Sequence, residues 1–380
     1  MEQNHLPCHD RINLGSYYTK PAIVSLVLSL LHKNVGDIAA YALVDTSCGY
    51  GSFLATDFPC RKIGADIDKE ALKVASAQVP AATLFYHNSL RHVSRRQYGL
   101  SAHDKIIIIG NPPYNDATSL VRRQLKRKAM EVDCELKTRD IGISFLRAFS
   151  KLQADYICIL HPLSYLIKRA NFALLKDFAQ GYRLLAARVI SSAEFAETSK
   201  ATTFPIIAAL YQRNAAGMDF AFIEGYPFIT TEEKTFRLSD FDYVTGYLHK
   251  YPNQRHIRQS EAVAKFWTLR DINALRRSRT FVQKTTASTV LVTTQMLDYY
   301  CYVDVFKRHI THIPYYLGNC DIIIDNYAFL EIKDAFRFLS LQHNPQLGLE
   351  IGSGWDGDNS RKAVSSYMKN LLHEHYINGV

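Results

Sequence analysis

Along the first half of this chain, short apolar runs alternate with longer stretches whose apolar residues recur at helical spacing. Tyr41–Asp45, Lys62–Ile67, Thr83–Tyr86 and Lys105–Ile109 read as strands. The last contains the consecutive isoleucines Ile106–Ile109, which predict a strand buried on both faces, as in a parallel sheet. Ala22–Leu31 and Lys69–Ala77 read as helices, with Thr19 and Asp68 placed as N-caps and Pro21 suited to a first turn. Ile141, Phe145, Leu146, Phe149 and Leu152 make the core face of a further helix. Asp155–Leu160 reads as a strand, Ser164–Ala179 as a helix, Tyr182–Ile190 as a strand and Thr202–Tyr211 as a second edge strand. This order predicts an α/β domain built on a twisted, largely parallel sheet.

A turn-rich break at Asn214–Met218 sets the expected boundary between a first domain, 1–214, and a second, 215–380. The second half mixes β-like runs (Val290–Thr294, Tyr299–Phe306, Asp321–Leu330) with helical ones (Ser260–Leu275, Met368–His375), a mixed α+β pattern. No apolar run is long enough to span a membrane, and Met1–Asp10 is too polar for a signal peptide. The seven cysteines form no CxxC pair, so neither a zinc site nor a disulfide framework is indicated, and a reducing cytoplasm fits.

Charge adds a partner class. The net charge is +9, which suits a polyanion. Residues 1–215 carry 27 Lys/Arg against 18 Asp/Glu, whereas 216–380 are balanced at 18 each, so the excess lies in the first half. Two clusters stand out. Arg122-Arg123-Gln124-Leu125-Lys126-Arg127-Lys128 reads either as a solvated helix face or as a phosphate contact. Arg276, Arg277 and Arg279 lie in a basic stretch, Arg255–Lys284, of the second half, where arginine can read guanine edges.

The chemistry concentrates at the ends of the predicted strands, where open α/β sheets bind ligands. Asp45-Thr46-Ser47-Cys48-Gly49-Tyr50-Gly51-Ser52-Phe53 reads as a strand–glycine turn–helix unit, its glycines permitting close backbone approach to a ligand. Asp66 follows Asp45 by 21 residues, the spacing at which an acid accepts hydrogen bonds from ribose hydroxyls, and Ile67 can pack on an adenine ring. After the isoleucine strand comes Gly110 and then Asn111-Pro112-Pro113-Tyr114. Two prolines stiffen this loop. The Asn111 side-chain oxygen and the Pro112 carbonyl are two acceptors suited to a flat –NH2 group, and Tyr114 offers a face for a base.

Asn-Pro-Pro-Tyr is the signature of amino-methyltransferases acting on planar amines, and the motif order resembles γ-type DNA adenine-N6 methyltransferases of restriction–modification systems. The resemblance covers residues 15–213. It implies a Rossmann-like class I fold, S-adenosylmethionine as cofactor, no metal, base flipping, and a C-terminal target-recognition region. By this resemblance Tyr18 and Thr19 lie against the methionine part of the cofactor, although Lys20 separates Thr19 from Pro21 where the family usually has Thr-Pro. Asp45 acts near the cofactor's amino-acid group and the backbone of Cys48, Gly49 and Gly51 wraps it. Asn88, where the family usually has Asp, contacts the cofactor adenine; Asn111 and Pro113 adjoin the cofactor as well. Phe195 supplies the second stacking face for the flipped adenine, the other reading being a core phenylalanine under its loop, with Phe204 expected to point into the core or to mark the start of the next strand. His161 is expected to be structural, because the family has no catalytic histidine there.

The implied partner is double-stranded DNA, with a separate cognate restriction endonuclease, and the implied state is a monomer or weak dimer in the cytoplasm of a prokaryotic or virus-infected cell. Two other classes share these features: RNA or protein-glutamine amine methyltransferases, and a DNA-binding protein retaining a catalytically dead methyltransferase fold.

Overall fold

Ile106–Ile109 are each at most 1% exposed, and a seven-stranded sheet is built outward from them. This computed structural model describes residues 19–114, 131–195, 203–252, 257–350 and 354–378. The sheet strands are β1 (Ala42–Asp45), β2 (Arg61–Asp66), β3 (Thr83–Tyr86), β4 (Ile106–Gly110), β5 (Tyr156–Pro162), β6 (Tyr182–Ser191) and β7 (Pro205–Arg213). Their order is β3-β2-β1-β4-β5-β7-β6. Neighbours from β3 to β5 pair in parallel, and β7 is antiparallel to both β5 and β6. The order reverses between β1 and β4, so their carboxyl ends, at Asp45 and Gly110, open the crevice where such sheets bind ligands. A parallel sheet with one antiparallel strand inserted next to the last is the Rossmann-like class I methyltransferase fold.

Helices cover this sheet. α1 (Pro21–Asn34) packs on β5, β6 and β7, α2 (Lys69–Gln78) on β2 and β3, and α3 (Ile141–Leu152) buries the predicted apolar face. Asp68 caps α2 as expected, accepting from the backbone N–H of Glu70 and Ala71.

Four first-half expectations change. Lys20, not Thr19, occupies the cap position of α1, and Pro21 begins the helix without a side-chain cap. The glycine loop does not lead into a helix: Gly51 closes one turn, accepting from Leu54 and Ala55, and the chain then runs through Phe58-Pro59 into β2. Phe58 is pushed towards extended geometry by the proline that follows it, and few residues remain before β2. Ser164–Ala179 splits into helical pieces at Ser164–Ile167, Arg169–Phe172 and Asp177–Gly181. The breaks fall at Lys168, which is extended, and Lys176, with φ +47°. Finally β7 is central, not an edge. Its run from Pro205 to Tyr211 is wholly buried, and β3 and β6 form the edges.

The first compact unit ends at Phe236, further along than the expected boundary at 214/215. A hairpin of β8 (Phe228–Ile229) and β9 (Thr235–Phe236) belongs to it, because Thr231 N–H donates to the Val189 carbonyl on β6. The second unit, Arg237–Val380, has its own aromatic core. It contains an antiparallel pair, Ala262–Trp267 with Thr289–Thr293, and helices Ile272–Arg277, Leu297–Phe306, Asn326–His343 and Gly357–Leu372. Tyr302 packs against Phe306, Phe329, Phe336 and Tyr367.

Here too some expectations change. Tyr299–Phe306 is helical rather than β-like, and all of Tyr300–Phe306 is buried, so no polar face marks its period. Asp321–Leu330 is a two-residue strand, Ile323–Ile324, followed by helix. Ser260–Leu275 contains the alternating strand Ala262–Trp267 before its short helix. Met368–His375 is helical only to Leu372, with a short 3-10 turn, His373–His375, after it.

Candidate active site

The strand ends bring together residues far apart in sequence. At the end of β1, Asp45 is 1% exposed and its Oδ1 accepts from the Ser47 backbone N–H at 3.1 Å. Burial pushes its carboxyl up to about 8, the Ser47 N–H opposing this and the nearby Asp66 carboxylate adding to it. The loop beyond turns on its two glycines, with φ +51° at Gly49 and +85° at Gly51, conformations that glycine adopts without strain. Cys48 is buried, and burial holds its thiol far above the usual range, so it is inert as a nucleophile.

At the end of β2, Asp66 ties this loop down. Its Oδ2 accepts from the Gly49 backbone N–H at 2.8 Å and its Oδ1 from that of Asp68 at 2.9 Å. Each carboxylate oxygen can accept a second bond, so capacity remains for a diol. Burial raises its pKa against these two N–H groups. Ile67 beside it is 39% exposed, an apolar surface next to the glycine loop. At the end of β3, Asn88 is already engaged: its Oδ1 accepts from Leu90 N–H at 2.9 Å and its Nδ2 donates to the Glu131 carbonyl at 2.7 Å. One lone pair on that oxygen is left for a ligand. Ser89 Oγ donates to the Thr46 carbonyl at 2.6 Å and so joins the loops after β1 and β3.

The tetrad leaves the end of β4. Gly110 has φ +145°, and a Cβ there would stand 2.7 Å from Asp45 Oδ1, so only glycine fits both the backbone and the neighbouring carboxylate. Asn111 is half-buried; Nδ2 donates to Thr19 Oγ1 at 3.1 Å, while Oδ1 is buried with no partner among the described residues. Pro112 is buried, Pro113 half-buried, and Tyr114 7% exposed. The Tyr114 ring therefore sits mostly inside the domain rather than lying open as a platform.

Phe195 is 1% exposed, whereas Phe204, just before β7, is half-buried. The two occupy the same rim, since Phe204 N–H donates to Ser192 Oγ at 2.9 Å. Phe195 is thus covered within its own domain, and Phe204 marks the start of β7, one of the two placements expected of it, with its ring partly open. His161 is structural as expected: 1% exposed, with Nδ1 donating to the Pro162 carbonyl at 2.9 Å and Nε2 accepting from Tyr211 OH at 2.7 Å. Burial lowers its pKa to about 4, so it stays neutral.

In the second unit Arg276, Arg277 and Arg279 are all exposed, on or just after helix Ile272–Arg277. Tyr18, Arg122, Arg123, Lys126, Arg127 and Lys128 lie outside the described residues. Sequence reasoning missed Ser47 and His87. Ser47 Oγ and His87 Nε2 are buried without partners among the described residues, in the loops after β1 and β3. Ser47 was legible as a polar residue within the glycine loop; nothing local marked His87.

No protein-family model matches the chain, and no curated protein does. Solved structures match about half of it. They include a candidate RNA methyltransferase from Pyrococcus horikoshii (15% identity, 53% of this chain and 88% of that one, TM-score 0.36). Another is a candidate class I S-adenosylmethionine-dependent methyltransferase from Listeria monocytogenes (14%, 53% and 62%, TM-score 0.37). A third is a type I restriction–modification methyltransferase subunit from Streptococcus thermophilus (14%, 52% and 44%, TM-score 0.35). The fold assignment rests on the strand order itself, and the site on its residues.

Proposed function

We propose that this protein transfers a methyl group from S-adenosylmethionine to N6 of an adenine flipped out of double-stranded DNA. The observation that carries this reading is the side-chain oxygen of Asn111, buried with no partner among the described residues, in a proline-stiffened loop at the carboxyl end of β4. A buried acceptor left unpaired costs about 1–3 kcal/mol, and a substrate –NH2 group removes that cost. The acceptor gains most as the nitrogen turns tetrahedral, so it favours the transition state over the bound amine.

The other strand ends fit the cofactor. Asp66 keeps acceptor capacity for ribose hydroxyls, Ile67 presents apolar surface for adenine, Asn88 keeps one acceptor for the adenine amino group, and Asp45 can pair with the amino-acid ammonium. Gly49 and Gly51 let the backbone approach closely. When bound, S-adenosylmethionine supplies a methyl carbon activated by a positively charged sulfur. The target nitrogen bonds that carbon as the carbon–sulfur bond breaks, the electron pair staying with sulfur, and the nitrogen then sheds one proton. Net charge of +9 supports a polyanionic substrate, and flipping the base costs a few kcal/mol that phosphate contacts offset. Residues after the catalytic unit, with exposed Arg276, Arg277 and Arg279, are the proposed sequence reader, in a modification enzyme paired with a separate endonuclease.

RNA and protein-glutamine acceptors present the same planar –NH2. The test offers labelled S-adenosylmethionine with duplex DNA, RNA and protein in parallel, followed by digestion of the products. N6-methyladenine in DNA is the expected outcome; label confined to N4-methylcytosine, RNA or protein refutes the reading.

A further inference from the structure

We propose that Thr19 is a positioning residue for the amine acceptor, its hydroxyl holding the Asn111 carboxamide so that the oxygen stays free for the substrate. This rests on the function proposed above. Asn111 Nδ2 donates to Thr19 Oγ1 at 3.1 Å across 92 residues of sequence, while Oδ1 is buried without a partner among the described residues. One end of the amide is thereby anchored and the other left as an acceptor. With both ends unanchored the group could rotate, and a half-turn would set its two N–H donors against the donors of a substrate amine.

The sequence around Thr19 explains why its hydroxyl serves this purpose. Threonine directly before a helix-starting proline would sit at the cap. Here Lys20 is interposed and takes the cap position of α1, so Thr19 stands one residue outside the helix and makes no cap bond. Thr19 is 7% exposed, with Pro21 fixing the backbone just beyond it. Its hydroxyl is thus a buried, rigid acceptor placed against the catalytic loop, and preorganisation of that kind keeps a transition-state acceptor from reorienting during reaction.

The test compares Thr19→Val, which keeps the shape and removes the hydroxyl, with Thr19→Ser, which keeps the hydroxyl. Single-turnover methyl transfer should fall about tenfold or more in Thr19→Val even when cofactor is raised to saturate the variant, and Thr19→Ser should recover most of the loss. In an Asn111→Ala background Thr19→Val should have no further effect, because the group it positions is gone. The structural arm uses protein labelled with ¹⁵N-asparagine, in which the Asn111 side-chain signal is identified by its loss in Asn111→Ala. Thr19→Val should shift that signal and speed its exchange with water; Thr19→Ser should restore it.

An unchanged Asn111 signal in Thr19→Val, an equal rate loss with and without Asn111, or weakened cofactor binding at an unchanged transfer rate would each overturn the assignment. If the wild-type chain methylates no amine acceptor at all, the proposed function fails instead, and the ¹⁵N arm still decides whether the anchor exists.

Discussion

Replacing Asn111 with alanine should separate activity from stability. The substitution removes the one buried acceptor that the proposed chemistry needs, Asn111 Oδ1, and also the Nδ2 bond to Thr19 Oγ1 at 3.1 Å. Loss of a single transition-state hydrogen-bonding group typically costs about 10²–10³ in kcat, or about 2.7–4 kcal/mol. The effect on folding is small by comparison. Relief of an unpaired buried acceptor contributes roughly 1–3 kcal/mol, while the Thr19 hydroxyl left without its partner costs about 1–3 kcal/mol. The two offset each other to within about 2 kcal/mol, so Tm should stay within several degrees of wild type. Single-turnover transfer at saturating S-adenosylmethionine measures the first quantity, thermal melting the second, and calorimetric titration checks that the cofactor still binds. A variant that keeps turnover within about threefold of wild type, or one whose lost activity tracks a fallen Tm, would refute the assignment of Asn111 as the amine acceptor.

Four further outcomes are expected. If the cofactor's ammonium pairs with ionised Asp45, whose carboxyl is pushed up to about 8 by burial, affinity should rise by up to about tenfold per pH unit below pH 8 and level off there, and Asp45→Asn should flatten that limb. Because this folded-state value lies above the unfolded one near 4, the same group's contribution to stability is full below pH 4 and is lost as pH rises towards 8, which acid-to-neutral melting curves of wild type and Asp45→Asn would reveal. Gly110→Ala, at φ +145° with its new Cβ 2.7 Å from Asp45 Oδ1, should destabilise by roughly 1–3 kcal/mol from the backbone alone, read as a lower Tm and weaker cofactor binding; an unchanged Tm would contradict the geometry. Phe204→Ala should reduce the 2-aminopurine flipping signal, by about 1–3 kcal/mol of lost stacking, with Tm little changed, whereas Phe195→Ala should act mainly through a lower Tm; the opposite pattern would return the stacking role to Phe195.

The strands that carry the site were legible because their composition leaves one solution. Ile106–Ile109 cannot present a polar face in any register, so a doubly covered strand follows, and the turn signal at Gly110 marks its end. The glycine loop and Asp66 were legible through spacing, since the acid reaches back to Gly49 N–H at 2.8 Å. What failed were choices that tertiary packing makes. Residues 300–306 are buried on every side, so their periodicity cannot distinguish helix from strand. Lys176 adopts φ +47° without a glycine to announce the break. Thr202–Tyr211 looked like an edge element, but insertion between β5 and β6 is a pairing decision that no local pattern encodes. Thr19 carried a valid cap signature and lost the position to Lys20.

The distribution of unsatisfied groups ties these threads to function. Fold-forming polar groups at the sheet's carboxyl edge are paired: Asp45 with Ser47 N–H, Asp66 with Gly49 and Asp68, Ser89 with the Thr46 carbonyl, and Asn88 with Leu90 and Glu131. The bonds from Asp66 to Gly49, Ser89 to Thr46 and Asn88 to Glu131 fix one loop against another, and the other three hold a single turn. Among the described residues, Ser47 Oγ, His87 Nε2 and Asn111 Oδ1 are buried without partners in the loops after β1, β3 and β4. A domain selected for stability alone would avoid such unpaired atoms, since each carries about 1–3 kcal/mol of uncompensated desolvation. Their presence on three loops along one edge, beside a carboxylate held near neutrality and an exposed isoleucine, is the pattern of a site whose hydrogen bonds are completed by what it binds. The same logic explains why the tetrad is stiff. For the proposed chemistry, an acceptor that meets a changing nitrogen has to be denied the motion by which it would otherwise find a partner. Prolines on one side and the Thr19 hydroxyl on the other supply that restraint.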